Sequence, residues 1–327
     1  MTDAASRPLR RHARTWSGHP RHRAARASPG EAVAARTPGH DGRGRGVRTW
    51  SASLLALPLA LVLGLFLLLP IVALAVVSVF DYDSVRIIPA FILGNYRDVL
   101  FSAVTWRTYL NTAKYAALTW AATLAIGFPV AYFLAFHVRS RTVQTVLFLV
   151  CTVPFLTSNI IRMISWIPFL GRNGVINGLL LDLGVIRSPL EFLLYSDFSV
   201  VLAFVHLYAL FMITPIFNAM VRMDRRLVEA AVDAGAGPWQ VVRDVVVPLS
   251  KPGIAIGSIF VVTLVMGDFV TVQVMGGGQR ASVGLMIYNE IALLQYPAAC
   301  ANAVVLLGVV LLMVGAILRT VDIRGEL

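Results

Sequence analysis

The chain has 327 residues, of which 57% are apolar and only 14% charged. That balance excludes a single soluble core and suits a protein that crosses a membrane several times. The net charge of +11 suggests a nucleic-acid partner, but residues 1–49 hold eleven arginines against Asp3, Glu31 and Asp41, and the remainder carries only +3.

Residues 1–49 are rich in Arg, Ala, Gly, Pro and Ser, with almost no large aliphatics, which predicts a disordered basic tail. Its charge favours an anionic membrane surface over a nucleic-acid arm, since it lacks interleaved aromatics beyond Trp16. Residues 50–327 are then a single membrane domain.

A hydrocarbon core about 30 Å thick requires about 20 apolar residues in a helix. Six stretches meet this. They run from Leu54 to Val79, from Tyr115 to Phe136, and from Val143 without charge to Arg162. The others run from Phe198 to Val221, from Pro252 with an interruption at Asp268, and up to Leu318. Backbone polar groups in lipid must bond internally, so all six are expected to be helices. The expected fold is therefore all-α and integral to the membrane, without an internal repeat. Outer loops 81–108 and 169–197 have room for short interfacial helices.

Lysine and arginine set the orientation. With both termini cytoplasmic, the inner segments hold 20 Lys and Arg; the outer loops hold Arg86, Arg97, Arg107, Arg172, Arg187 and Arg280. Cys151 and Cys300 lie far apart in apolar runs, which predicts buried free thiols rather than a disulfide or zinc site.

The polar segment from Asp224 to Pro248 reads as two short helices. Leu227, Ala231 and Ala234 recur at helical spacing on one face, and Arg225 and Glu229 form an i,i+4 pair. Gly235 and Gly237 stop the first helix, Pro238 opens the second, and Trp239, Val242 and Val246 follow its apolar face. Pro248 is expected to end it. A segment kept in water between two apolar runs is a candidate docking surface.

Glu229-Ala230-Ala231, then Gly235, then Pro248 resembles the EAA loop of ABC-importer permeases. Val245 and Val247 stand where that family usually has Ile and Leu, which keeps the apolar character. The resemblance implies the type I permease fold, and a loop that sits in a groove of a separate cytoplasmic ATPase. Glu229, Ala230, Ala231, Asp233, Gly235, Trp239 and Pro248 would then make the coupling contact. The rival reading is a hairpin packed on its own protein. The only lysines, Lys114 and Lys251, follow Ala113 and Ser250, so no phosphate-binding Gly-Lys pair exists. ATP and Mg²⁺ are accordingly expected on the partner ATPase, and no cofactor or metal on this chain. Gly276-Gly277-Gly278 reads as a flexible outer turn.

Asn95-Tyr96, Gly127–Leu134, Val153–Arg162 and Gly267–Thr271 resemble the B-subunit permeases of spermidine/putrescine importers. The resemblance implies a polyamine importer of the bacterial plasma membrane. Its implied partners are two ATPase subunits, a second homologous permease and an extracytoplasmic binding protein. Independently, a carboxylate at membrane depth costs at least about 2.5 kcal/mol unless paired or wet, which makes Asp268 a candidate for a solute path. Trp166 and Tyr208 would add cation–π contacts, and Thr157, Ser158 and Asn159 polar ones. The alternative is an Asp268 pair with Lys114 or Arg162 that only holds helices together. Arg162 would repel a polyamine, which favours a structural or gating role for it. His206 reads as a packing residue. Rival functions are a permease for an iron, thiamine or phosphonate compound, a membrane enzyme, and an ion-coupled carrier acting alone.

Overall fold

The computed structural model describes residues 57–83 and 86–319, so the expected tail over 1–49 lies outside the described residues. Helix α1 (Leu57–Val77) leads to a two-stranded antiparallel ribbon, β1 (Asp81–Asp83) and β2 (Arg86–Ile88), with Asp81 opposite Ile88. Next come α2 (Gly94–Phe101) and α3 (Ala103–His137). A bent pair follows, made of α4 (Arg141–Leu156) and a second arm holding α5 (Asn159–Leu170) and α6 (Val175–Asp182). Then come α7 (Asp197–Val221), α8 (Arg225–Asp233) and α9 (Pro238–Gly267). The described chain closes with α10 (Val270–Gly276), α11 (Val283–Ala292) and α12 (Tyr296–Arg319). The helices α1, α3, α7, α9 and α12 are each long and apolar enough to span a membrane, and the bent pair is the sixth candidate. The β ribbon and α11 were not anticipated.

The third expected span is not one helix. Its two arms meet at 88° around Thr157 and Ser158, both in extended conformation. Pro154 has no N–H, and the turn at Val153–Leu156 tightens to 3₁₀ geometry. The freed Pro154 carbonyl accepts from both the backbone N–H and the hydroxyl of Thr157.

Side-chain caps set five of the described helix starts. Ser102, Ser140, Ser196, Asp224 and Ser282 each accept a backbone N–H of the first turn. Helices α3, α7 and α9 form the centre. Thr108, Thr112 and Thr123 turn their hydroxyls back onto carbonyls of α3, which satisfies them in apolar surroundings. Trp120 Nε1 donates to Ser258 Oγ at 2.7 Å and ties α3 to α9. Helices α7 and α9 approach each other closely. A Cβ at Gly253 would lie 2.5 Å from the Pro215 carbonyl oxygen, and one at Gly257 would lie 2.8 Å from Met212 Sδ. This is the small-residue packing by which helices associate without a hydrophobic driving force. The outward residues of α1 and α4 are exposed large aliphatics, as a lipid-facing surface requires.

Chain direction sorts the ends of the bundle. The Ala135 carbonyl near the end of α3 accepts from Arg225 at the start of α8 (3.1 Å). The 137–141 turn, the 221–238 segment and the end of α12 therefore share one end. The ribbon, α2, α10 and α11 lie at the other. Both cysteines are free and half-buried rather than buried.

Gly257→Leu should lower the thermal stability of the detergent-solubilised protein by the cost of overpacking, about 1–3 kcal/mol. Gly308→Leu, where a Cβ meets nothing within 4 Å, should leave it unchanged. Thermal unfolding followed by size exclusion compares the two.

Candidate functional site: an exposed helical elbow and a capped carboxylate

The 224–248 segment forms an elbow at one end of the bundle. Asp224 Oδ1 caps α8 by accepting from the Arg226 N–H at 3.0 Å. The helix ends with Gly235 at φ +87, the Ala236 N–H bonded to the Ala231 carbonyl and the Gly235 N–H to Val232. These two bonds satisfy the last carbonyls, and the left-handed φ is one that glycine adopts without a Cβ clash. Pro238 then starts α9, with Gln240 Oε1 accepting from the Gly237 N–H at 2.9 Å.

Three expectations for this segment are corrected. Val228 and Ala231 face the core, together with Ala236, whereas Leu227 and Ala234 face outward. Arg225 donates to the Ala135 carbonyl rather than to Glu229, because the open end of α3 lies within its reach and favours a cation. Pro248 does not end the second helix. A π turn at Val242–Val246 widens the ladder just before it, so the helix passes the missing N–H and runs on to Gly267. The outer face of the elbow carries Glu229, Ala230, Asp233 and Gly235, beside three exposed apolar side chains: Trp239 (74%), Val232 (55%) and Leu227 (49%). Ala231 is half-buried behind them.

Asp268 lies at the far end of α9, in a break between helices rather than inside one. Its Oδ2 accepts from the Tyr208 hydroxyl at 2.6 Å and the Thr271 hydroxyl at 2.7 Å, and its Oδ1 from the Thr271 N–H at 2.9 Å. Neither expected cation pairs with it. Lys114 binds Asp197 at 2.7 Å, in a group completed by Tyr115 and Arg280. Arg162 donates to Asn159 and lies over the Phe155 ring at 5.3 Å, with Nε and Nη1 buried and unpartnered. Asp268 instead caps α10. The Asp-x-x-Thr spacing of Asp268 and Thr271 is the sequence signal for that role.

The other predicted residues fall into a second group. Trp166 Nε1 donates to His206 Nδ1 at 3.0 Å, so His206 has a partner as expected of a packing residue. Thr157 and Ser158 are exposed at the bend. Tyr208 links the groups, since it bonds Asp268 and lies within electrostatic reach of Arg162. From Tyr208 a row of rings leads along α7 through Phe211 (6.2 Å) to Phe155 (4.9 Å) and Phe260 (6.0 Å). These rings edge a cavity of about 880 Å³ that also reaches Asn218, Arg222 and Pro252 near the elbow. Sequence reasoning missed this wall. Its signal is the spacing of Phe211, Pro215, Asn218 and Arg222 on one helical face.

Residues 124–321 match the family described as the inner membrane component of binding-protein-dependent transport systems. The chain belongs to that family. It is a multi-pass protein of the bacterial inner membrane with the type I ABC permease fold. Among similar proteins is the spermidine/putrescine transport system permease protein PotB of Haemophilus influenzae, 34% identical over 58% of this permease and 64% of that protein. PotB of Escherichia coli is 29% identical over 80% and 96%, and PotB of Salmonella typhimurium 30% identical over 68% and 77%. A bacterial alginate ABC transporter, solved in complex with an alginate-bound periplasmic protein, shares the fold of this permease. Its TM-score is 0.68 at 18% identity, covering 85% of this chain and 96% of that one.

Removing one donor from Asp268 leaves its half-buried carboxylate under-bonded. Tyr208→Phe should destabilise the permease by about 1.5–3 kcal/mol, the range for a hydrogen bond to a charged group. Thr271→Val should act non-additively with it, because both serve one acceptor. A double-mutant cycle on thermal unfolding reads the coupling; strictly additive shifts would dissolve the shared-acceptor account.

Proposed function

We propose that this chain is the permease subunit of a polyamine importer powered by a separate ATPase. The observation that carries this reading is the elbow: an exposed helix, a Gly235 turn and then α9, which runs unbroken to the residue before Asp268. Apolar side chains rimmed by Glu229 and Asp233 suit a protein groove better than lipid or open water. Glu229, Ala230, Asp233, Gly235 and Trp239 form the coupling contact, Ala231 backs it from the core side, and Pro248 sits behind the π turn that carries α9 past it.

The elbow faces the cytoplasm, and both termini lie on that side. ATP and Mg²⁺ act on the partner ATPases, and this chain is a transport component without catalysis of its own. A second permease completes the path, and a binding protein delivers solute at the opposite end. ATP binding favours one state of the assembly and its hydrolysis the other, so the path opens to each side in turn.

A polyamine is the solute favoured by the likeness to the three PotB proteins and by Asp268. Tyr208 and the rings of Phe211, Phe155 and Phe260 offer π faces to an ammonium group beyond that carboxylate. Trp166, Thr157, Ser158 and Asn159 line the bend beside this route, and Arg162 acts as a gate or strut rather than a ligand.

Glu229→Lys should abolish co-purification of the ATPase subunits while membrane insertion stays normal; unimpaired co-purification would remove the elbow from the coupling contact. In the assembled transporter, Asp268→Asn should reduce putrescine and spermidine uptake at least tenfold with the complex intact. The discriminating observation on the solute is which ligand raises the melting temperature of the associated binding protein. A shift with an iron, thiamine or phosphonate compound and none with a polyamine would refute the polyamine reading.

A further inference from the structure

A second cavity, of about 420 Å³, opens at the end of the bundle opposite the elbow, between β1, α2, the start of α3, α11 and the start of α12. It is near the low end of the roughly 300–1,000 Å³ typical of small-molecule sites. Three carboxylates line it, Asp81, Asp98 and Glu290, and no lysine or arginine does. No ion pair joins any of the three to a cation among the described residues.

An excess of carboxylates is ordinary on a wet surface. The deeper wall is different. Asn302 is 2% exposed and spends its amide on Glu290, Nδ2 to Oε1 at 2.7 Å. Asn302 Oδ1 and Glu290 Oε2 remain, both buried and both without a partner. Asn302 Oδ1 only accepts, and so does Glu290 Oε2 while its carboxyl is ionised, so what satisfies them must donate, and the net charge of the wall asks for a cation. A buried carboxylate oxygen left unbonded carries the full desolvation penalty. Burial pushes the Glu290 carboxyl up from its ordinary range, with the Asn302 hydrogen bond acting the other way. A chelated metal ion is a poor fit, because among the described residues no three His, Cys, Asp or Glu side chains converge as a metal-binding group. Carboxylates that share the lining with the apolar Ile92 and Val99 suit a chain of methylenes ending in ammonium groups, each with three donors.

We infer that this cavity binds a linear alkylammonium ion, one ammonium held by Glu290 and Asn302 at the inner wall and the other end facing Asp98. The site shares no residue with the contacts of Asp268. It is a separate station at the end of the permease where solute enters. The ligand class follows from the two orphaned acceptors and stands whether or not the carried solute is a polyamine.

The test is equilibrium binding of radiolabelled 1,4-diaminobutane to the full permease–ATPase complex in lipid nanodiscs, without binding protein. It is done in an Asp268→Asn background, so that binding at that carboxylate does not contribute. Saturable binding is expected. Glu290→Gln, isosteric and still able to accept from Asn302, should weaken it at least tenfold. Asp98→Asn, an exposed change with no folding consequence, should weaken it about threefold. Three results would overturn the assignment: no saturable binding, a Kd that neither substitution moves, or displacement by Mg²⁺ as effective as by unlabelled diamine. Failure of polyamine uptake in whole cells, with diamine binding intact here, would count against the proposed solute and leave this site standing.

Discussion

At several places where the described chain stops being helical, a side chain has taken over a backbone hydrogen bond. Lipid offers no water to an orphaned N–H or C=O, so each break needs such a replacement. At the end of α1, Asn95 Nδ2 collects the carbonyls of Ser78 and Phe80. From within α6, fully buried Asn177 bonds the Gly171 carbonyl in the α5–α6 connection and the carbonyl and N–H of Leu190 in the α6–α7 connection. Gln144 and Arg225 take the Leu134 and Ala135 carbonyls where α3 closes with a π turn. Asp268 does the same for α10. The polar residues of the membrane domain are largely explained by this requirement before any function is assigned to them.

That accounting sharpens what is left over. Asp268 accepts three hydrogen bonds in the described state and keeps one acceptor position on Oδ1, so an ammonium group can take that position or exchange with Tyr208 or Thr271. Each exchange of one hydrogen bond for another is nearly even in free energy, which suits a site that must release what it binds. Arg162, Glu290 and Asn302 go further, with buried atoms that have no hydrogen-bond partner. Orphaned groups of this kind are rare in folded proteins and mark positions where something outside the chain completes the bonding.

The spans were legible because an apolar run of helical length has few other destinations. The bend at Thr157 was not, since nothing in an uncharged run marks it except Pro154, and proline inside a membrane helix is often tolerated, as it is at Pro215 of α7. The two helices of the elbow were read correctly, but not which side of α8 packs. Over nine residues Leu227/Ala231/Ala234 and Val228/Ala231 are almost equally good apolar stripes, and neighbouring helices decide between them. Asp268 was legible as unusual, but its partners were not: charge suggested Lys114 or Arg162 as the alternative to a solute path, while Tyr208 and Thr271 supplied neutral donors. The outer cavity was invisible. Its walls come from residues near 81, 98, 290 and 302, and only folding brings them to one place.

Helix α9 spans 30 residues without a stop, so it is about 45 Å long. One end carries Trp239 in the open; the other ends one residue before Asp268. A stiff rod of that length pivoting near its middle moves each end by about 2 Å, in opposite directions, for a tilt of only 5°. Its close seat on α7 at Gly253 and Gly257 is the fulcrum, and the π turn at Val242–Val246 is the one soft joint between fulcrum and handle. The geometry is that of a lever: a stroke at the elbow arrives, reversed in sense and of similar size, where the carboxylate sits, and stiffening the joint would change the gearing without touching either end.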